Sequence, residues 1–266
     1  MSGAALDANA ANNARGDRAR RRRWRPARDA AWALLEDLVD DGARVAVVGA
    51  GNGDDLPLRR LARRCARLDL IDLDAGALAG AARRTSVEGD ADVRAMVEDV
   101  TGGAADAILA GGGVEARAVA VPAEPVGAGG YDVVVCDLVL TQLLYPALKR
   151  AGKLSGAEMD AVLLAHGQRL TDGVVARLHA SAATVVILHD LLGWWKGHQQ
   201  PFALDAVLRC KPAAAVELAR RGSVPYGCDP WVATRAAGAR VTRTALWRWP
   251  FSPGADYLVF GLVTQR

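Results

Sequence analysis

Glycines at positions 49, 51 and 53 close a short β-branched run, Arg44-Val-Ala-Val-Val48, and Asp54 and Asp55 follow at once. Glycines in this spacing let the backbone pass close to a ligand where any Cβ would clash. A loop that then enters a helix also presents free N–H groups; Ala50 and Asn52 complete this loop. Position 54 is Asp where a dinucleotide-binding GxGxxG carries its third glycine, and a carboxylate there faces a pyrophosphate unfavourably. The loop therefore suits a nucleoside without phosphates better than a dinucleotide. Asp72 ends the next apolar run, 23 residues past Gly49, followed by Leu73 and Asp74. A carboxylate in that place can accept both hydroxyls of a ribose. Asp99, after Glu98 and before Val100, is placed to accept a hydrogen bond from an adenine amino group. Asp137 stands just beyond the apolar run 131–136 and is expected to line the same pocket.

A second group of residues has types suited to catalysis or substrate contact. His189 and Asp190 end a fifth apolar run and should open onto the same cleft, where a histidine can act as general base on a hydroxyl or amine. Tyr145 is a further catalytic candidate, and Gln142, Trp194, Trp195 and His198 are candidate substrate contacts. His166 lies on the apolar stripe of a helical period and reads as a core histidine.

The elements that must position these residues alternate. Apolar runs at 44–48, 68–72, 93–97, 131–136 and 184–188 read as buried strands, with a further possible strand at 116–121. Helical periods follow at about 29–38, 56–65, 75–84 and 157–180. Such alternation specifies a parallel sheet covered on both faces, with ligands at the carboxyl ends of its strands. Between 191 and 239 the alternation breaks down into a stretch with Trp194, Trp195, Tyr226 and Trp231, read as a cap. Residues 241–249 and 257–264, around Pro-Phe-Ser-Pro-Gly, read as an antiparallel hairpin. The expected organisation is a disordered arm over 1–28, a core over 29–190, a cap over 191–239 and a closing hairpin over 240–266.

In these residues the chain resembles the class I S-adenosylmethionine-dependent methyltransferases over roughly residues 29–190. Gly49, Gly51 and Gly53 match the family's glycine loop, Asp72 its ribose acid and Asp99 its adenine contact, while Asp137-Leu-Val-Leu-Thr-Gln-Leu matches the stretch after its fourth strand. The resemblance implies a Rossmann-like three-layer α/β sandwich with a mostly parallel seven-stranded sheet, completed by the C-terminal hairpin. It also implies S-adenosylmethionine as methyl donor. Many members carry an acidic residue two before the first glycine; here Val47 stands there, and Asp54 or Asp55 is the substitute. The positive sulfonium and ammonium of that cofactor favour a pocket in which acidic residues converge. Methyl transfer is an in-line displacement that proximity alone can accelerate, so a base is not strictly required.

Composition narrows the alternatives. The chain has 266 residues with 33 Lys+Arg against 30 Asp+Glu, a formal charge of +3. Residues 1–28 hold eight of the arginines against Asp7 and Asp17, so the remainder is net acidic. No apolar run approaches the roughly 18–20 residues of a membrane span, and no apolar segment follows the basic N-terminus as in a secretory signal. Cys65, Cys136, Cys210 and Cys228 form no CxxC pair, so no metal site or disulfide framework is expected and a reducing cytoplasm is the default. The reading is a methyltransferase acting on a small molecule. Two others stand beside it: transfer of the aminopropyl or aminocarboxypropyl arm on the same fold, and a non-catalytic nucleic-acid-binding protein using the arginine-rich arm.

Overall fold

The structure, a computed structural model, describes residues 3–13, 18–86, 91–116, 119–152, 154–222 and 228–266. Five parallel strands form its centre: β1 (Arg44–Val48), β2 (Arg67–Asp72), β3 (Asp92–Val97), β4 (Tyr131–Asp137) and β5 (Ala182–Trp195). The hairpin β6 (Arg240–Ser252) and β7 (Ala255–Gln265) closes the sheet, β7 running antiparallel to β5. The order is β3-β2-β1-β4-β5-β7-β6. This is the seven-stranded, mostly parallel α/β sandwich anticipated from the sequence.

Its strands read as unbroken apolar runs because both faces are buried. Val45, Val47, Val133, Val135, Val186 and Leu188 enter one core, and Ala46, Val48, Val134, Cys136, Val185 and Ile187 enter the other. Against the first core lie α3 (Arg25–Leu35), α4 (Leu58–Ala62) and α5 (Ala75–Ser86). Against the second lie α6 (Ala104–Ala110), α7 (Tyr145–Ala151), α8 (Gly156–Ser181), α9 (Leu204–Leu208), α10 (Pro212–Gly222) and α11 (Pro230–Ala236). A capping box of Ser155 and Glu158 starts α8. The chain runs outward from β1 to β3 and returns to β4 on the other side of β1, so the switch point lies between β1 and β4. In open α/β sheets the ligand site falls there.

Three expectations are corrected. The arm is not disordered where it is described: α1 (Ala4–Asn13) and α2 (Arg18–Arg23) are helical, and α3 begins at Arg25. The reason is long-range pairing that composition cannot reveal, of Asn9 with Asp72 and of Arg20 and Arg21 with Asp54; Arg15 and Asp17 lie outside the described residues. The proposed strand at 116–121 is absent among its described residues, and Val121 packs instead on Gly173 of α8. The fifth strand also runs past the expected core boundary at residue 190, for β5 continues through Trp195 against β7. The helices beyond it join the main body: α11 lies along α8, and Trp231 meets Phe260 of β7 edge to face, with ring centroids 4.6 Å apart. Tyr226 lies outside the described residues.

Candidate ligand and active site

The glycine loop leaves β1 with positive φ at all three glycines, +80°, +46° and +64°. At Gly49 the requirement is also spatial: a Cβ would stand 2.8 Å from the Asp137 carbonyl oxygen and 2.1 Å from Val139 Cγ2. Loop and β4 thus touch backbone to backbone at the switch point. Gly49 and Ala50 donate their N–H groups to the Ile71 carbonyl, and Gly51 N donates to Asp72 Oδ2 at 2.9 Å. Asp72 Oδ1 accepts from Asp74 N at 2.9 Å and from Asn9 Nδ2 at 2.7 Å. Asp72 is buried, and that burial raises its pKa. Leu73 is half-buried beside it, and Asp74 Oδ1 accepts from Ala77 N at the start of α5.

The two acids after the loop take different roles. Asp54, 3% exposed, is enclosed by arginines of α2: Arg20 Nη2 stands 2.6 Å from Oδ2 and Arg21 Nε 2.8 Å from Oδ1. Arg28 of α3 donates to the Asp54 carbonyl. Asn52 is half-buried and holds the same junction, donating to the Asn13 carbonyl while its own carbonyl accepts from Arg84. Asp55 turns instead toward Asp137. Burial, with the Asp54 charge behind it, raises Asp55 to about 6, while burial and repulsion from Asp55 push Asp137 well above its ordinary value, so Asp137 keeps the proton that it offers to Asp55. Asp190 and Asp72 are close enough to add to the repulsion on Asp137. Directly after Asp137, Leu138 has φ +55°, a strained backbone for a branched residue.

Asp190 accepts from Thr141 Oγ1 at 2.6 Å, and burial pushes its carboxyl up to about 7. Tyr257 stands near enough to Asp190 and Tyr145 for both to raise its hydroxyl to about 12, behind the larger effect of burial. Tyr145 is half-buried at the head of α7, with the Lys149 ammonium 5.6 Å from its ring. Gln142 is exposed, but its Nε2 donates to the strained Leu138 carbonyl at 2.8 Å. Trp195 stacks on the exposed His198 at 4.0 Å between centroids and faces Tyr257 at 6.0 Å. Trp194 donates from Nε1 to the Phe202 carbonyl.

One predicted catalytic residue is placed away from this group. His189 is 1% exposed with neither ring nitrogen hydrogen-bonded among the described residues, and it lines a cavity of about 10 Å³ with Leu191, Val216, Cys228 and Trp231. Burial lowers its pKa to about 4, so it is a neutral core histidine, and the general base expected there is not delivered to the cleft. His166 is a core histidine as expected, bonded to the Val114 carbonyl. Asp99 spends its carboxylate on its own loop, accepting from Thr101 N, Thr101 Oγ1 and Gly103 N. Val100 is buried, and its carbonyl accepts from Arg177, which also pairs with Glu98 at 2.7 Å.

From sequence Tyr257 reads as a packing residue of the hairpin, and Asn9 and Asn13 lie in the arm. The one available signal was the i, i+4 spacing of Asn9 and Asn13, which puts both amides on one helix face.

No family model matches the sequence, and no curated protein matches it. Solved structures similar to the chain include a SAM-dependent methyltransferase from Thiobacillus denitrificans in complex with S-adenosyl-L-homocysteine. It is 16% identical, with a TM-score of 0.47, over 90% of this chain and 91% of that one. A SAM-dependent methyltransferase from Aquifex aeolicus is 13% identical with a TM-score of 0.46, over 90% and 91%. The magnesium protoporphyrin IX methyltransferase from Synechocystis with bound SAM is 12% identical with a TM-score of 0.40, over 88% and 76%.

Proposed function

We propose that this chain is an S-adenosylmethionine-dependent methyltransferase that acts on a small-molecule acceptor. The observation that carries the reading is the set Asp72, Asp55, Asp137 and Asp190 at the switch point. No Lys or Arg forms an ion pair with any of the four among the described residues, whereas neighbouring Asp54 has two such partners. Burying carboxyl groups this way is unfavourable for the protein alone. A ligand with an ammonium and a sulfonium supplies the missing positive charge, and it is the neighbouring glycine loop that tolerates close backbone approach.

In this reading Gly49, Ala50, Gly51, Asn52 and Gly53 lie along the nucleoside, Asp72 receives the ribose hydroxyls, and Leu73, Asp99 and Val100 belong to the adenine side. The Asp55–Asp137 pair faces the methionine ammonium. S-adenosylmethionine, when bound, supplies an activated methyl group on its sulfonium. Asp190, titrating near neutrality beside Tyr145 and Tyr257, is the group suited to take a proton from an acceptor hydroxyl or amine. Gln142, Trp194, Trp195 and His198 then border the acceptor, Gln142 also by supporting Leu138. Nucleic acid is the less favoured partner, because Arg20, Arg21, Arg23 and Arg28 have partners within the chain. The four cysteines are free, and no described helix is long and apolar enough to cross a membrane; a cytoplasmic protein fits both.

Calorimetric titration with S-adenosylmethionine and S-adenosylhomocysteine tests the reading. The wild type is expected to bind both and Asp72→Ala to lose most of that affinity. No binding by the wild type or by variants of its N-terminal helix sinks the reading. Methylthioadenosine as product, in place of S-adenosylhomocysteine, would assign the chain to arm transfer.

A further inference from the structure

Helix α1 stands where the proposed nucleoside has to go. Asn9 Nδ2 donates to Asp72 Oδ1 at 2.7 Å, and Asp74 N also bonds that oxygen, while Gly51 N takes Oδ2. Of these three donors only the Asn9 amide comes from outside the loops that form the site, and it occupies the position of a ribose hydroxyl. Asn13 fills the other requirement. Its Oδ1 lies 2.8 Å from the place a Gly51 Cβ would take, and its Nδ2 donates to Asp74 Oδ2 at 3.1 Å. The space that glycine leaves for close approach is therefore filled by a side chain of the same protein. A cavity bordered by Asp55 and Asp137 has about 10 Å³, room for one water.

α1 lies against α7 and α6 and reaches the site itself through polar contacts. Ala8 is the one buried apolar residue among its described side chains, and Ala5 N donates to Asp106 Oδ1. A helix of 10 residues has little stability of its own once undocked. The chain that follows is anchored differently. Arg20 and Arg21 grip buried Asp54, and Trp24 packs edge-on against Trp249 with centroids 5.0 Å apart. Release of residues 4–13 therefore leaves α2 and α3 in place.

We propose that α1 is a built-in competitor of the nucleoside cofactor, with Asn9 standing in for a ribose hydroxyl on Asp72 and Asn13 for the ligand's approach at Gly51. The proposal rests on the cofactor reading above. Binding then requires undocking of α1, and the apparent affinity is lower than that of the open site by the docking equilibrium. Any event that holds α1 away from the cleft activates the protein without touching the catalytic groups.

The test uses the full chain as wild type, Asn9→Ala and Asn9→Ala/Asn13→Ala, titrated with S-adenosylhomocysteine, together with amide hydrogen exchange over residues 4–13. Alanine favours the helix, and a thermal melt within a few degrees of wild type verifies the fold. The expected result is binding about threefold tighter for the single variant and about tenfold or more for the double variant, from the usual worth of a hydrogen bond. Saturating ligand is expected to speed exchange over 4–13 in the wild type. Asn9→Asp, which sets a second carboxylate against Asp72, is expected to act in the same direction. Equal or weaker binding by the variants, or protection of 4–13 by the ligand, overturns the proposal and makes α1 a cover over the bound cofactor or a bystander. Failure of wild type and variants alike to bind overturns the cofactor reading, and the competition falls with it.

Discussion

Arg20 reaches Asp54 across 34 residues of sequence, setting Nε and Nη2 at 3.1 and 2.6 Å from one carboxylate oxygen while Arg21 holds the other. This contact turns a run of arginines into a helix seated on the glycine loop. The Asp54 side chain is 2% exposed and that of Arg20 11%, so water screens the pair weakly. Arg20 also lies over the Trp24 ring at 4.7 Å, tying the clamp to the aromatic group of Trp24, Trp249 and Phe251.

Arg20→Ala is therefore expected to destabilise the protein by about 1–3 kcal/mol, the usual result of stripping a partner from a buried group. Exposed Arg22→Ala should stay within about 0.5 kcal/mol of wild type. Urea unfolding of the two variants makes the comparison. Equal effects would mean that the clamp does not hold α2 to the loop.

The raised carboxyl of Asp190 makes a prediction about pH. A carboxyl with a folded pKa of about 7 and an ordinary unfolded pKa binds more protons in the folded state, so its contribution to stability falls as pH rises. Removing the charge removes that fall. Relative to wild type, Asp190→Asn should gain on the order of 1 kcal/mol between pH 6 and 7.5. Buried His179 and His189, both lowered to about 4, act in the opposite sense over the same range. The difference between the two proteins cancels their effect, and chemical denaturation at the two pH values measures it. No pH dependence in that difference would contradict the raised carboxyl.

The Asp55–Asp137 pair predicts proton release on cofactor binding. A cation placed beside the pair favours its ionised form, so affinity for S-adenosylmethionine should rise with pH through about 6, where Asp55 titrates. At pH 6, calorimetry in two buffers of different ionisation enthalpy should show a binding enthalpy that depends on the buffer. In Asp137→Asn that dependence should shrink. A buffer-independent enthalpy in the wild type would separate the pair from the ammonium.

Two glycines with nearly equal φ allow strain to be told from crowding. Gly254, at +79°, has open space where a Cβ would go, so Gly254→Ala should cost only the backbone penalty of about 1–2 kcal/mol. Gly49, at +80°, meets the Asp137 carbonyl, and Gly49→Ala should cost a further 1–3 kcal/mol. Equilibrium unfolding of both variants measures the difference, and equal costs would mean that loop and β4 yield to each other.

Much of the sheet was legible because it rests on local patterns. The apolar runs at 44–48, 131–136 and 184–188 are strands, and residues 241–249 and 257–264 do form the hairpin. The reading failed where a neighbour distant in sequence decides. His189 and Asp190 are adjacent and both polar, yet pleating sends them to different surroundings: Asp190 to Thr141, His189 to an apolar cavity beside Trp231. No periodicity distinguishes the two before the packing of α10 and α11 is known.

The arginine arm shows the same division. Its charge and lack of large apolar residues are facts of composition, and by themselves they describe a solvated tail. What they omit is Asp54, whose burial in the glycine loop makes two guanidinium groups worth ordering, and Asp72, whose free lone pair receives Asn9. By itself the sequence determined the alternation of strands and helices, the glycine loop and the carboxylates at strand ends, since each depends on residues within a few positions of one another. Only the tertiary structure decided which carboxylates are paired with arginine and which have no ion-pair partner among the described residues. That is set by distances between chain segments tens of residues apart, and it makes the cleft acidic while the chain as a whole is basic.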